Sequence, residues 1–493
     1  MLSSSKFCRS RKKQDEALEI AERGRARAFV ELLASKLDSK PKEQLDIPPN
    51  IDKIKQIAKT ENATLVEYSI IYDEFKIQGK QQAKESNLYI WVVKLTGEVV
   101  FCSVDLTPLN QQKISLENLV VNNLSSISGN SNTTERGEIN LNKGDRVRLK
   151  DDNPSDPAWE VLAVNTQTGT LALRQPSYSP GFATEHPIGN VVEKVGANNS
   201  QSSPNAKNLN LHELYQRLVQ PIADLLPKKQ RERVIFIPQT ELFLVPFPAL
   251  QDEHGKYLIE KHTILTAPAI QVLDLTHKQR QKVAGTNKDA LVIGNPTMPK
   301  VSLYPGQPPT QLASLPNAEI EAKEVAKILK TDAIIGNQAS KSAILPQLLK
   351  ARIIHLATHG LLDDFTGGGV PGAIALAPSG QDQGLLTASV ILDLKLNAEL
   401  VVLSACNTGR GRITGDGVIG LSRSLISAGV PSVIVSLWSV PDAPTGLLME
   451  EFYRQLQQNP DKATALRQAM LMTIKEHPEP KDWAAFTLIG ESQ

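Results

Sequence analysis

The stretches IIHLATHG (residues 353–360) and LVVLSACNTG (residues 400–409) decide the fold class. Each begins as a continuous apolar run of strand length and ends abruptly at small and reactive residues. Such runs are typical of strands that are buried on both faces of a parallel sheet, with polar residues emerging at their carboxyl ends. Because ligands bind at that edge in open α/β sheets, we expect His359 and Cys406 to lie close together there.

A histidine and a cysteine on one edge suggest a nucleophile and its base. The attacking species is a thiolate, but a free cysteine has a pKa of about 8.5 and is mostly protonated at neutral pH. A neighbouring imidazole stabilises the thiolate and then donates a proton to the leaving amine. Gly360 leaves room for its N–H to face a developing oxyanion, and the N–H of Cys406 is the expected second donor. The alternative is that Cys406 is a small buried hydrophobe and His359 is structural.

Five segments carry a resemblance to a known family, and they occur in the family's order: ARIIHLATHG (351–360), LSACNTG (403–409), DGVIGL (416–421), SLWSVPD (436–442) and WAAFTLIG (483–490). From about Arg231 to Gly490 the chain resembles a CHAT domain, the caspase-like module commonly attached to tetratricopeptide repeats in bacterial proteins. The resemblance implies a caspase-like three-layer α/β/α sandwich with a mostly parallel sheet. It also implies cysteine peptidase chemistry with His359 and Cys406 as the dyad, whose order and spacing fit the caspase pattern of about 50 residues.

The same resemblance suggests where substrate binds. Trp438 and Asp442 match a family segment that borders the substrate cleft, and an acidic residue there favours a basic side chain before the scissile bond. Asp416, in a glycine-rich loop after the cysteine, is a rival acid, as are Asp363, Asp364 and Asp382. No third catalytic residue is evident, so we expect a backbone carbonyl to orient His359, as in caspase-like enzymes.

Composition predicts a protein that binds neither nucleic acid nor membranes. The chain has 493 residues and a formal net charge of +1 with both signs interspersed, so no global field favours an anionic partner. Its three cysteines, Cys8, Cys102 and Cys406, are too scattered for a disulfide framework or a cysteine-based zinc site. His355 and His359 are spaced like metal ligands on a helix, but their flanks predict a strand. We therefore expect no metal and no cofactor, with His355 packed inside.

The sequence also predicts location. No apolar run reaches the ~18 residues that a membrane span requires, and the start of the chain lacks the apolar core of a signal peptide. We therefore expect a cytoplasmic protein, in a compartment that keeps a catalytic thiol reduced.

We expect six segments: an N-terminal helical segment (1–45), a β-rich segment (46–121), a linker (122–138), a small β-barrel insert (139–195), a second linker (196–208) and the CHAT domain (209–493). The linkers are rich in Asn, Ser, Thr and Gly, and the insert opens with KGDRV at 143–147. Residues 14–38 form one amphipathic helix in this interpretation. It either resembles the last helix of a tetratricopeptide array whose other repeats lie elsewhere, or docks on its own domain.

The sequence thus predicts a caspase-like cysteine endopeptidase that cleaves protein substrates and is regulated by a partner or by autoprocessing. The partner expected is a regulatory or tetratricopeptide protein. The alternative is a non-proteolytic interaction or signalling module that uses the same cleft for binding. A third hypothesis, a thiol hydrolase or acyl transferase, uses the same dyad. Substrate, cleavage preference and oligomeric state stay open at this stage.

Overall fold

The computed structural model describes residues 11–37, 48–77, 80–111, 114–128, 141, 144–149, 158–165, 170–174, 184–187, 191–195, 204–229, 232–285, 289–301, 309–361, 371–405, 412–414, 417–438 and 441–493. The chain divides into two compact units. Residues 1–71, 85–128 and 208–493 belong to the first unit, and residues 72–84 and 129–207 belong to the second.

The strands of the described residues are, in chain order, β1 (Ala63–Ile77), β2 (Lys80–Val93), β3 (Val99–Asp105), β4 (Arg146–Leu149), β5 (Trp159–Asn165), β6 (Thr170–Arg174), β7 (Thr184–Pro187), β8 (Val191–Val195), β9 (Arg233–Ile237), β10 (Thr263–Thr266), β11 (Asp289–Pro296), β12 (Lys300–Val301), β13 (Thr310–Gln311), β14 (Ala333–Gly336), β15 (Ala351–Ala357), β16 (Gly360–Leu361), β17 (Ala373–Ala375), β18 (Leu385–Thr387), β19 (Leu400–Ser404), β20 (Arg412–Thr414), β21 (Gly417–Ile419), β22 (Ser432–Ser436) and β23 (Phe486–Gly490).

The described helices are α1 (Arg11–Gly24), α2 (Arg27–Leu37), α3 (Ile51–Thr60), α4 (Thr107–Gln111), α5 (Leu116–Ser128), α6 (Pro204–Leu218), α7 (Leu258–Lys261), α8 (Ile270–Val283), α9 (Pro316–Leu329), α10 (Lys341–Leu348), α11 (Ala388–Asp393), α12 (Leu421–Ser427), α13 (Asp442–Gln458), α14 (Lys462–Glu476) and α15 (Pro480–Trp483). None of these described helices is both long and apolar enough to cross a membrane.

One large sheet organises the first unit. Its eleven described strands follow the order β14-β11-β15-β19-β22-β23-β10-β9-β1-β2-β3. Strands β14, β11, β15, β19 and β22 are parallel to one another, whereas β23 runs antiparallel to β22. Strand β1 pairs in parallel with β9, so residues well before position 209 complete the sheet. Both faces are covered, because β19 and β22 are buried at every residue.

Alternate residues of β19 enter two separate apolar cores. Leu400 and Val402 pack with α9, α13 and α14 on one face. Val401 and Leu403 pack with α2 and α12 on the other. This period-2 division is what a strand between two helical layers requires. The expected three-layer α/β/α sandwich with a mostly parallel sheet is therefore confirmed.

The second unit contains a sheet of its own. Its described strands lie in the order β7-β6-β5-β4-β8, all antiparallel to their neighbours. Val147, Val161, Leu171 and Leu173 are buried in a small separate core. The described strands thus form a compact β-sheet where the sequence predicts a small barrel. Closure of that barrel stays a prediction.

The structure corrects the expectation of one helix over 14–38. The chain forms two helices, α1 and α2, because Ala26 adopts a left-handed backbone conformation with φ 48°. Helix α2 packs on α8 and α12 of the first unit. The described N-terminal helices are therefore docked on the protein's own fold.

One other expectation is also corrected. The linker expected at 122–138 begins as a helix, since α5 continues to Ser128 and buries Leu124 and Ile127. The apolar residues of this segment recur at helical spacing, but the Asn and Ser residues between them favoured a linker in the sequence interpretation. Further along the chain, residues 417–419 pair with β20 as a short hairpin, and helix α12 begins only at Leu421.

Candidate active site

The carboxyl ends of β15 and β19 lie side by side. The two strands pair in parallel from Ile353–Leu400 to Ala357–Ser404. In the sequence, His359 and Cys406 each follow the last pair by two residues, and that pair lies at the carboxyl ends of the two adjacent strands. Cys406 itself lies outside the described residues. The last described position before it, Ala405, accepts a hydrogen bond through its carbonyl from the Ser436 hydroxyl of the next strand.

His359 is held from both sides by backbone groups. Its Nε2 lies 2.8 Å from the carbonyl oxygen of Ala313, and its own carbonyl accepts the N–H of Ala375 at 3.0 Å. Because a carbonyl oxygen can only accept, Nε2 is the protonated nitrogen and donates this bond. The Nδ1 of the neutral ring is then unprotonated and is the nitrogen that can take a proton. Ala313 supplies the backbone carbonyl that the family resemblance led us to expect, at a position the sequence did not indicate.

The N–H of Gly360 faces away from its neighbouring strand. Gly360 and Ile374 are opposite each other in the antiparallel pair of β16 and β17. The bond from Ala375 to His359 makes them a non-hydrogen-bonded pair, in which both residues direct their N–H groups outward from the pair. The donor is therefore available to a group outside this ladder, directly beside His359.

A buried cluster lies below His359 on the same strand. His355 is fully buried, with Nε2 at 2.9 Å from Glu321 Oε1 and Nδ1 at 3.2 Å from the Tyr453 hydroxyl. Burial and then the neighbouring Glu321 carboxylate raise the pKa of Tyr453 well above its usual range. The tyrosine is therefore a hydrogen-bond donor to the ring. This confirms that His355 is packed inside, where it fixes β15 against α9 and α13.

The predicted substrate-binding residues separate into different environments. Trp438 is 1% exposed, and its indole N–H donates to the Lys481 carbonyl at 3.0 Å. This burial contradicts the expectation that Trp438 contacts substrate directly, since the ring packs in the core. Asp442 begins α13, six positions after β22 ends at Ser436. Asp416, together with Asp363 and Asp364, lies outside the described residues. Asp382 is paired with Lys341.

Sequence reasoning missed one polar atom at this edge. The hydroxyl of Ser404 is buried and has no hydrogen-bond partner among the described residues. Ser404 ends β19 two positions before Cys406. An unpaired buried hydroxyl costs about 1–3 kcal/mol, and nothing in the sequence distinguishes this serine from an ordinary strand-end residue.

The matching family model is that of the CHAT domain, over residues 209–491. The chain therefore belongs to the CHAT family and has its caspase-like α/β fold.

Two curated relatives are also similar over nearly all of this chain. Tetratricopeptide repeat protein 28 of Mus musculus and that of Homo sapiens are each 26% identical to it over 97% of its length. These alignments cover 22% and 21% of the two relatives, so the chain spans only about a fifth of their length.

Two solved structures resemble the model more distantly. The Saccharomyces cerevisiae separase–securin complex gives a TM-score of 0.45 at 12% identity, covering 93% of this chain and 32% of that chain. The Arg-specific cysteine proteinase gingipain R gives a TM-score of 0.34 at 11% identity, covering 59% of this chain and 68% of that chain.

Proposed function

We propose that this chain is a cysteine-type endopeptidase that uses Cys406 as nucleophile and His359 as base. The observation that carries the proposal is the pairing of Ala357 with Ser404. It fixes the chain two residues before each member of the dyad on neighbouring parallel strands, which lie about 4.8 Å apart. We therefore expect a side chain at position 406 to come within reach of the imidazole of His359.

The hydrogen bond to Ala313 supports the direction of proton transfer. With Nε2 donating to this carbonyl, Nδ1 takes the proton of the Cys406 thiol as the sulfur attacks the scissile carbonyl carbon. The tetrahedral intermediate then collapses, the C–N bond breaks and the Nδ1 proton passes to the leaving amine. Nδ1 then takes a proton from a water molecule as the water oxygen attacks the thioester carbon. The C–S bond breaks, the acid product leaves, and the proton on Nδ1 passes to the sulfur, which restores the free enzyme.

Gly360 supplies the first donor for the oxyanion. Its N–H is directed out of the β16–β17 ladder, beside the histidine, and the N–H of Cys406 supplies the second. Donors that are fixed before the reaction stabilise the developing negative charge without reorganisation. The unpaired Ser404 hydroxyl at the end of β19 is a further polar group near the start of the nucleophile loop.

The proposed substrate is a protein, and Asp442 and Asp416 are the acids proposed to favour a basic side chain before the cleaved bond. The proposed regulatory partner is a tetratricopeptide protein, and the similarity to tetratricopeptide repeat protein 28 supports this choice. A reducing compartment such as the cytoplasm suits the chemistry because it keeps the Cys406 thiol unoxidised.

Labelling with peptidyl electrophiles tests the proposal. The purified full chain is treated with fluorescent peptidyl acyloxymethyl ketones that differ in their terminal residue, and the modified residue is located by mass spectrometry. We expect labelling of Cys406, preferentially by the arginyl and lysyl probes, and its loss in both Cys406→Ala and His359→Ala. Cleavage of the matching fluorogenic peptides should disappear in the same two variants.

Cys102→Ala is the matched control. Cys102 is a free, partly buried thiol on β3, and burial raises its pKa, so it should react slowly and its removal should leave labelling unchanged. Labelling that persists in His359→Ala would refute the dyad. A folded wild type that is inert to every probe but still captures a tetratricopeptide partner would favour the non-proteolytic interaction module.

A further inference from the structure

Three titratable side chains meet at the edge of the large sheet opposite the candidate active site. Glu61 lies in the turn between α3 and β1, His277 lies in α8, and Glu491 directly follows β23. The backbone N–H of Glu491 donates to the carbonyl of Pro431 at 2.9 Å, just before β22 begins. The cluster is therefore at the amino end of the parallel strands, whereas His359 follows a carboxyl end.

The cluster has the geometry of a metal-ligand set. One atom from each of the three residues can be chosen so that all lie within 4.8 Å of one another. His277 Nδ1 is 2.8 Å from Glu491 Oε2 and 3.7 Å from Glu61 Oε1. The other oxygen of Glu491, Oε1, accepts the backbone N–H groups of Ser492 and Gln493 at 2.9 and 3.1 Å. These two bonds turn Oε2 toward the cluster.

Glu61 independently indicates that the cluster binds a cation. Its side chain is 2% exposed, and Oε1 has no hydrogen-bond partner among the described residues. The guanidinium of Arg233 donates to the backbone carbonyl of Glu61 at 2.8 Å. A buried carboxylate without a bonded cation is costly, and a cation between the three ligands would remove that cost.

We propose that Glu61, His277 and Glu491 bind a divalent transition-metal ion, with Zn²⁺ preferred. One imidazole nitrogen and two carboxylate oxygens are ligands that Zn²⁺ accepts, whereas Mg²⁺ and Ca²⁺ prefer oxygen alone. The His277 side chain is 25% exposed, which gives the ion a route from solvent and leaves positions for water.

The site joins parts of the chain that are distant in sequence. It would tie the three C-terminal residues and the α3–β1 turn to α8, on the edge away from Cys406. Its expected role is therefore to stabilise the first unit, independently of peptide cleavage.

Metal binding by the full chain tests the proposal. Zn²⁺ titration against a chromogenic chelator is carried out in a Cys406→Ala background, so that the candidate dyad cannot bind the metal through its thiolate. We expect one equivalent bound, a rise in melting temperature on adding Zn²⁺, and loss of at least ~10-fold in affinity for Glu61→Gln and His277→Gln. Co²⁺ should give weak d–d bands without a thiolate charge-transfer band.

His254→Gln is the matched control, because His254 and Glu253 form an exposed pair 3.6 Å apart that should not hold a metal. This variant should bind Zn²⁺ as the parent does. The absence of stoichiometric binding by the folded parent would overturn the proposal, as would unchanged affinity in Glu61→Gln. Glu61→Gln keeps the side-chain shape and removes a buried charge, so it tests the site even where His277→Gln does not fold.

Discussion

Replacing Arg25 by methionine tests whether the N-terminal helices are part of the protein's stability. The Arg25 side chain is only 6% exposed. Its Nε donates to Glu67 Oε1 at 3.1 Å, and Nη1 donates to the Pro238 carbonyl at 2.9 Å. Its Nη2 donates to the Ser69 hydroxyl at 3.0 Å and to the Tyr68 carbonyl. Methionine fills most of the space and removes all four bonds.

The expected cost follows from what is left behind. Removing one partner of a buried ion pair costs about 3–5 kcal/mol, because the other charge remains buried. Burial already raises the pKa of Glu67 well above its usual range, so this carboxyl takes up a proton once the guanidinium is gone, which limits the loss. We therefore expect Arg25→Met to lower the free energy of unfolding by about 3 kcal/mol at neutral pH. The loss should be smaller at pH 5, where protonation of Glu67 is less costly.

Urea unfolding of the full chain, followed by tryptophan fluorescence, measures this cost. Arg25→Lys keeps the charge without the planar fork, so it should lose an intermediate amount. Arg454→Met removes an exposed pair with Glu450 on α13 and should change stability by less than ~0.5 kcal/mol. If Arg25→Met were as mild as Arg454→Met, the buried network would not hold the N-terminal helices to the fold.

Three further predictions concern the core and its titration. Gly294→Ala places a Cβ 2.3 Å from the Ala322 Cβ. The substitution should lower the free energy of unfolding by at least ~1–3 kcal/mol. An unchanged calorimetric melting temperature would contradict this. Tyr453→Phe removes the hydroxyl bonded to His355 and should cost about 1–2 kcal/mol in urea unfolding; a more stable variant would disprove the donor role. Burial, followed by nearby cations, lowers the pKa of His262 to about 4. The unfolded chain therefore binds the extra proton between pH 6.5 and 4, and stability falls with falling pH by up to about 1.4 kcal/mol per unit. His262→Gln should flatten that slope in urea midpoints taken across this range, and an equal slope in both proteins would refute the assignment.

The buried parallel strands were predictable because consecutive residues of a strand face opposite sides of the sheet, and here the residues on both sides are mostly apolar. The runs at 353–357 and 400–404 are apolar without alternation, and the structure makes them adjacent strands with covered faces. Their shared edge, which His359 directly follows, is what the rule for parallel sheets predicts.

The groups around His359 were not predictable from sequence. The Ala313 carbonyl that orients the ring belongs to the backbone, and any residue type at that position offers the same oxygen. For Trp438 the sequence predicted a contact with substrate that the fold does not offer. A position in a family motif gives no information about burial, and this ring lies in the core. The cluster of Glu61, His277 and Glu491 depends on three chain segments that only the folded sheet brings together.

The two-helix N-terminus was missed for a local reason. Residues 14–38 keep an amphipathic period across the break, and the left-handed turn falls at Ala26, a residue that normally favours helix. The buried Arg25 network overrides that preference, since its four bonds fix the chain at the junction.

The pairing of β1 with β9 has a practical consequence for expressing this protein. The family match begins at residue 209, so a fragment cut there would lack β1, β2 and β3. Strand β9 is buried at every residue in the intact sheet. In the fragment it would become an exposed edge strand of five residues, and the backbone groups that pair with β1 would lack partners. Exposed apolar edges recruit other chains by strand addition. A fragment that begins at the family boundary is therefore expected to form inclusion bodies, and soluble material requires the strands encoded more than a hundred residues upstream.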